Sequence, residues 1–226
     1  MRYPKEVRGI FLERPNRFIA RVALQGREER VHVKNTGRCR ELLVPGAQVS
    51  LVPAENPARK TAYDLTAVWK GDMLVNIDAQ APNRLVEEYL PRSGLFSQPI
   101  RIRPEYTHGD SRFDFLVEEG ERRHLMEVKG VTLEQDGHAR FPDAPTLRGV
   151  KHIRGLADAR EEGFESWLVF VVQMEGMRSV APNDETHPAF AQALRRAAAE
   201  GVHVLALGCH VEPLEVEITH EVPVLL

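Results

Sequence analysis

The sequence predicts a mixed α/β (α+β) chain of two domains. An OB-like β-barrel is expected over residues 1–81 and a mixed-sheet α/β sandwich over residues 82–226. Three observations carry this. The first third of the chain is a series of short β-like runs broken by turn residues. Past Ala81-Pro82 helical and strand-like segments alternate. Two apolar runs in that second part, SWLVFVV and VHVLAL, read as strands covered on both faces. A chain of 226 residues can bury one large core or two small ones.

The barrel elements follow in order. VRGIFLER and RFIARVAL are two β-like runs joined at Pro15-Asn16, and ERVHVK alternates polar and apolar residues. After NTGRCRELL a Pro45-Gly46 turn leads to AQVSLVPA. TAYDLTAVWK and GDMLVNID follow, with Gly71-Asp72 as the turn between them. Five or six strands in about 80 residues suit an OB-type barrel; an SH3-like barrel gives a similar string.

In the second domain PNRLVEEYL is a short helix, with Pro82 near its first turn and Leu85, Val86, Tyr89 and Leu90 on one side. Strands are expected at RIRPEY, SRFDFLVEE and RRHLMEVKG, with Gly120-Glu121 turning between the last two. VTLEQDGHARF reads as a hairpin about Asp136-Gly137. A helix is expected from Thr146 to Glu162, because Leu147, Val150, Ile153 and Ala157 keep helical spacing and Gly163 ends it. Pro188 opens another helix, stopped by Gly201.

Composition narrows the classes. Hydrophobic residues make up 42% and charged residues 28%, the balance of a soluble globular protein. No stretch reaches the ~18 apolar residues of a membrane span. The N-terminus MRYPKEVRGIFLERP lacks the apolar core of a signal peptide, so a cytoplasmic location and no membrane partner are expected. Cys39 and Cys209, the only two cysteines, cannot build a Cys-rich zinc site, and buried free thiols are expected. The nine histidines show no zinc-ligand spacing and read mostly as surface residues. No HExxH, Walker-type GxxxxGK or GxSxG motif is present. The net charge is −3, yet residues 1–40 hold eleven basic side chains against four acidic ones. That asymmetry suits a cationic module joined to an acidic one, or simply an arginine-rich solvated surface.

The candidate chemistry lies in SRFDFLVEEGERRHLMEVKG. Asp114 sits between Phe113 and Phe115, where an unpartnered charge is costly. Glu127 and Lys129, two apart on the next strand, share a face. An adjacent antiparallel strand can bring Asp114 beside them. Two carboxylates and an ammonium within reach suit Mg²⁺ or Mn²⁺: hard cations take oxygen ligands, polarise a phosphoryl oxygen and lower the pKa of a bound water. The competing reading is structural, with Asp114 in an edge-strand salt bridge to Arg112.

Cationic contacts for nucleic acid are read at three places. Arg148, Lys151 and His152 form one stripe of a helix whose start can grip phosphates; a solvated helix face gives the same pattern. Lys34, Asn35, Thr36, Gly37, Arg38 and Arg40 form a loop in the barrel, and Arg112 lies beside Asp114. Phe18, Tyr63 and Trp69 are base-stacking platforms or barrel core. Asp143 caps the helix or joins the metal site.

The stretches NTGRCRELLVPG, PNRL, SRFDF, EVKGVTL and FPDAPTLRGVKHIRGL, spread over most of the chain, resemble the sugar fermentation stimulation protein A family. Asp followed by Glu-x-Lys on successive strands is similar to the PD-(D/E)XK nuclease superfamily. The resemblance implies an N-terminal OB-like domain, a C-terminal PD-(D/E)XK nuclease-like domain, and DNA as partner. It makes Asp114 and Glu127 metal ligands and Lys129 the catalytic lysine. It also implies a further acidic ligand from the preceding helix, for which Glu88 is the candidate; an Arg84–Glu88 pair is the rival reading. Gly130 departs from the serine expected after the lysine. Two functions follow as expectations: a metal-dependent phosphodiester-cleaving nuclease or nuclease-derived DNA binder, or a DNA-binding regulator of sugar metabolism without turnover.

Overall fold

A computed structural model describes residues 1–56 and 58–226. Its first part is a barrel of β1 (Val7–Asn16), β2 (Ile19–Leu24), β3 (Arg27–Val33), β4 (Gln48–Pro53) and β5 (Tyr63–Lys70), extended by β6 (Met73–Asn76). The strand order is β3-β2-β1-β4-β5-β6, and a parallel pairing of His32-Val33 with Asp64-Leu65 closes β3 onto β5. Closure removes the open edges of a five-stranded sheet. Phe11, Val22, Val31, Val49, Leu51, Leu65 and Val68 fill the interior. This is the OB-like barrel expected.

The second part begins with α1 (Ala81–Tyr89), whose first turn accommodates Pro82 because the N–H it lacks would have had no partner there. A six-stranded sheet follows in the order β15 (Val216–Glu221), β14 (His203–Val211), β12 (Glu165–Val172), β9 (Arg122–Val131), β8 (Ser111–Glu119), β7 (Ile100–His108). β9, β12 and β14 run parallel, and the outer strands are antiparallel. α2 (Leu147–Glu161) and α3 (Pro188–Ala199) cover one face with Val150, Ile153, Phe190 and Leu194, while α1 covers the other with Leu85 and Val86. The mixed-sheet α/β domain is thus present.

A small sheet of β10 (Leu133–Gln135), β11 (His138–Phe141) and β13 (Val180–Pro182) stands beside it. The β10–β11 hairpin turns through Asp136 and Gly137, both at positive φ, as a tight two-residue turn requires. β13 and β15 were not anticipated: β13 is only three residues long, and β15 sets Glu217, Thr219 and Glu221 beside just two buried apolar residues, Val216 and Ile218.

A polar seam joins the two parts. The Asn76 N–H donates to the Gln173 carbonyl at 2.9 Å, and Gln173 Nε2 donates to Asn76 Oδ1 at 2.8 Å and to the Asp78 carbonyl at 3.1 Å. Lys34 Nζ lies 2.8 Å from buried Asp78, whose Oδ2 also accepts from Tyr3 at 3.1 Å. Both cysteines are free and buried, and burial pushes each thiol up to about 12. Among the described residues no helix is long and apolar enough to cross a membrane.

Candidate metal and nucleic-acid site

The site arises where two strands part. β8 and β9 pair from Glu119↔Arg122 up to Phe115↔Met126, and no farther. Beyond that point β9 continues against β12, with Glu127 opposite Leu168 and Lys129 opposite Phe170. β8 keeps its pairing with β7 on both sides of Asp114, from Ile100↔Glu119 to His108↔Ser111. Asp114 sits in the fork. Its Oδ2 accepts the Val128 N–H at 2.7 Å, where a ladder carbonyl would otherwise serve, and its Oδ1 accepts from Asn83 Nδ2 at 2.7 Å. Backbone registration therefore aims Asp114 at β9.

Alternation on β9 sorts the rest. Met126 and Val128 enter the core under α1, and Leu125 and Val131 the core under α2 and α3. Glu127 and Lys129 fall on the α2 side. The Lys129 ammonium pairs with Glu127 Oε1. His152 Nδ1 of α2 lies 2.5 Å from the same oxygen, off the line of a good hydrogen bond. The other oxygen, Oε2, is buried with no partner among the described residues. Burial opposes ionisation of Glu127, but His152 and Lys129 win and hold its carboxyl below the ordinary range. At Asp114 the balance reverses. Burial first, then the Glu127 charge, push its carboxyl up against the Val128 and Asn83 hydrogen bonds. The two carboxylates are thus close enough to repel, and their donor set is all oxygen. Among the described residues no three or more His, Cys, Asp or Glu side chains converge as a ready-made cage; one or two carboxylates completed by water and phosphate are the usual Mg²⁺ arrangement.

The trio Asp114, Glu127 and Lys129 is thus gathered in one place. Glu88 is not with it: its carboxylate pairs with the Met1 ammonium at 2.8 Å and with Arg84 at 3.2 Å. α1 reaches Asp114 through Asn83 instead, a residue sequence reasoning missed. Arg112, exposed on β8, pairs with Glu105 at 3.6 Å and not with Asp114. Asp143 does not cap α2. Thr146 does, its hydroxyl accepting from the Gly149 N–H at 3.0 Å. Asp143 Oδ2 accepts from the backbone N–H groups of Arg38 at 3.0 Å and Cys39 at 3.4 Å, tying the barrel loop to the segment before α2.

The proposed cationic stripe divides. Arg148 and Lys151 are exposed, but His152 is buried beside Glu127. Buried His152 and His124 both depart from a surface reading of the histidines. The barrel loop divides likewise. Lys34 is spent on Asp78, and Asn35 is structural, its Nδ2 donating to the Ile77 carbonyl at 2.9 Å and its Oδ1 accepting the Gly37 N–H at 2.7 Å. Thr36, Arg38 and Arg40 remain exposed. The Arg14 guanidinium staples this loop to the β1–β2 turn through the carbonyls of Gly37, Arg38, Asn35 and Arg17. On that turn Phe18 is exposed under the Arg17 guanidinium, 5.4 Å from its ring centre, while Tyr63 and Trp69 are half-buried.

Comparison with known proteins places these features. Residues 12–77 match the family model described as the SfsA N-terminal OB domain, and residues 80–215 match the sugar fermentation stimulation protein RE domain. A sugar fermentation stimulation protein homolog of Ruminiclostridium cellulolyticum is 48% identical over 226 residues, covering 100% of both chains. One of Desulfitobacterium hafniense (strain DSM 10664 / DCB-2) is 50% identical over 217 residues, 96% of this chain and 95% of its own. The solved structure of Pyrococcus furiosus SfsA in complex with Ca²⁺ is similar with a TM-score of 0.90 at 29% identity, covering 100% of this chain and 98% of that one.

Proposed function

Since the chain belongs to the sugar fermentation stimulation protein family, we propose that it is a DNA-binding protein with a divalent-metal phosphodiesterase centre in its second domain. The observation that carries this is Glu127 Oε2, a buried carboxylate oxygen without a partner among the described residues, beside a second carboxylate whose ionisation the Glu127 charge disfavours. Leaving such an atom unpaired is costly unless a ligand completes it. A hard cation fits, because every donor offered is a carboxylate oxygen. The Pyrococcus furiosus relative is in complex with Ca²⁺, a cation of the same oxygen-seeking kind.

Asp114 and Glu127 would hold Mg²⁺ or Mn²⁺, which when bound polarises a phosphoryl oxygen and acidifies a water. Asn83 and the Val128 N–H keep Asp114 oriented. The Lys129 ammonium, a compact point charge, offsets the charge that develops on the attacked phosphate and orients the attacking water. Arg148 and Lys151 at the start of α2, with Thr36, Arg38 and Arg40 on the barrel loop, contact backbone phosphates; the OB domain supports this nucleic-acid reading.

The test is cleavage with Mn²⁺ or Mg²⁺ of single strands, duplexes and branched DNA by wild type and Lys129→Ala. The expected result is cleavage by wild type, loss of it in Lys129→Ala, and DNA affinity retained, because the lysine acts on the transition state rather than on ground-state grip. Tight DNA binding with no cleavage under any metal would replace this reading by that of a DNA-binding regulator.

A further inference from the structure

A carboxylate that offers one oxygen to a cation is oriented by whatever holds its other oxygen. Two groups reach Oε1: the Lys129 ammonium and His152 Nδ1. A lysine stem has four rotatable bonds, whereas the buried imidazole has two. His152 is buried in α2, and its ring lies 5.8 Å from the ring of Phe113 at a tilt of 54°. One turn earlier on the same helix, Arg148 Nε donates to His152 Nε2 at 3.3 Å.

That last contact assigns the ring's protons. A guanidinium Nε always carries hydrogen, so Nε2 must accept. The ring proton then belongs on Nδ1, the atom that faces Glu127 Oε1. A proton on Nε2 instead would set two donors against each other at the arginine and two lone pairs against each other at the glutamate. Nδ1 stands 2.5 Å from Glu127 Oε1 but off the line of a good hydrogen bond, and a proton on Nδ1 is what lets the pair close.

We infer that His152 is a positioning residue for Glu127, set in its Nδ1–H tautomer by Arg148, so that the phosphate-contacting start of α2 and the metal-binding carboxylate form one hydrogen-bonded unit. The inference rests on the metal reading above and adds what fixes the ligand. Partners one step behind a ligand matter because they hold its orientation, and losing one weakens metal binding by about 10–100-fold. The unit also explains why an exposed arginine donates inward through Nε: its two terminal nitrogens, which have no partner among the described residues, can meet a phosphate while its inner nitrogen holds the histidine.

Two measurements test this, one without metal. In metal-free protein, ¹⁵N–¹H correlation of the imidazole should show His152 protonated on Nδ1 and bare on Nε2. Arg148→Met, which keeps the stem and removes the donor, should mix the tautomers. An Nε2–H ring in wild type overturns the inference. The second measurement is Mn²⁺ titration by calorimetry, with thermal melting as a check on folding. His152→Leu, which keeps apolar packing on Phe113, should weaken Mn²⁺ binding about 10–100-fold. His152→Asn puts an amide nitrogen where Nδ1 stood and should recover most of the loss; His152→Gln, whose amide nitrogen falls farther out, should not. Equal binding by wild type and His152→Leu, or equally weak binding by the Leu and Asn variants, overturns the positioning role. Absence of Mn²⁺ binding by wild type would instead sink the metal reading itself.

Discussion

Neutralising Asp114 separates a metal site from a structural salt-bridge cluster, because the two readings give opposite signs. In Asp114→Asn the side-chain oxygen can still take the Val128 N–H, and Asn83 can turn its amide to accept from the new NH₂. What is lost is the charge assistance in two hydrogen bonds, roughly 1 kcal/mol each. What is gained is relief from burial and from Glu127, the two largest influences on Asp114. Like charges ~4–6 Å apart repel by roughly 3–4 kcal/mol at an effective dielectric near 20. Part of this is already offset by Lys129. The balance is a stabilisation of about 1 kcal/mol, or ~2–4 °C for a chain of this size. Metal reverses the order. At a hundred times its Kd a cation stabilises wild type by ~2.7 kcal/mol, roughly 5–10 °C, and the variant not at all. Melting both proteins by circular dichroism, in chelator and then in Mn²⁺, should therefore show curves that exchange places. A variant that melts below wild type in chelator would make Asp114 a stabilising ion-pair member. A wild type indifferent to Mn²⁺ and Mg²⁺ would remove the metal from the site.

Arg148→Ala with Lys151→Ala should flatten the slope of log DNA affinity against log salt by about one to two units, since each phosphate contact contributes ~0.9 on a duplex and ~0.7 on a single strand. An unchanged slope in a filter-binding or anisotropy titration would put the DNA elsewhere. Gly130→Ser should destabilise the protein by about 1–3 kcal/mol in denaturant unfolding, because a Cβ there would stand 2.4 Å from Gln173 Oε1 and 2.8 Å from Pro82 Cγ; an unaltered midpoint would mean that Gln173 yields freely. At Asp64 burial opposes ionisation, but Arg59 and His32 prevail and depress the carboxyl. The stability it contributes is present above the ordinary aspartate pKa of ~3.9 and lost as pH falls through the lower folded value. Asp64→Asn should flatten that acid limb of a pH-dependent unfolding curve, and a limb as steep as in wild type would contradict the pairing.

The fold was legible where one chemical rule governed a segment. The Asp136-Gly137 hairpin, the helix closed by Gly163 and the apolar runs of β12 and β14 all followed from local signals. β15 carried the alternation Val216-x-Ile218, but its outward charges masked it. In the site, the spacing of Glu127 and Lys129 was legible because period two is a property of any strand. The choice of partners was not. Glu88 and Asn83 are five residues apart on α1, hence about 140° around the helix and ~7.5 Å along it. Which of them meets Asp114 depends on how α1 lies across the sheet, and no local pattern records that. His152 shared a stripe with Arg148 and Lys151, yet burial turned it into a partner of Glu127. The charge excess of residues 1–40 also overstated the free cations: Arg2, Arg8, Arg21 and Lys34 are paired with acidic side chains, and Arg14 binds carbonyls.

Those pairings have a consequence for how the two domains work together. Arg14 and Asp143 do not add charge to the surface; they fix its geometry. Arg14 locks the β1–β2 turn to the 35–38 loop, and Asp143 locks that loop to the leader of α2. The Asn76–Gln173–Asp78–Lys34 seam holds the barrel on the second domain from within. A buried polar network of this kind is costly to break, since each group left behind loses a partner it cannot replace with water. The exposed cations on the barrel, Arg38 and Arg40, are therefore held in register with Arg148 and Lys151. Their contributions to binding should add within one bound geometry, rather than as two linked domains whose joint grip depends on a flexible tether.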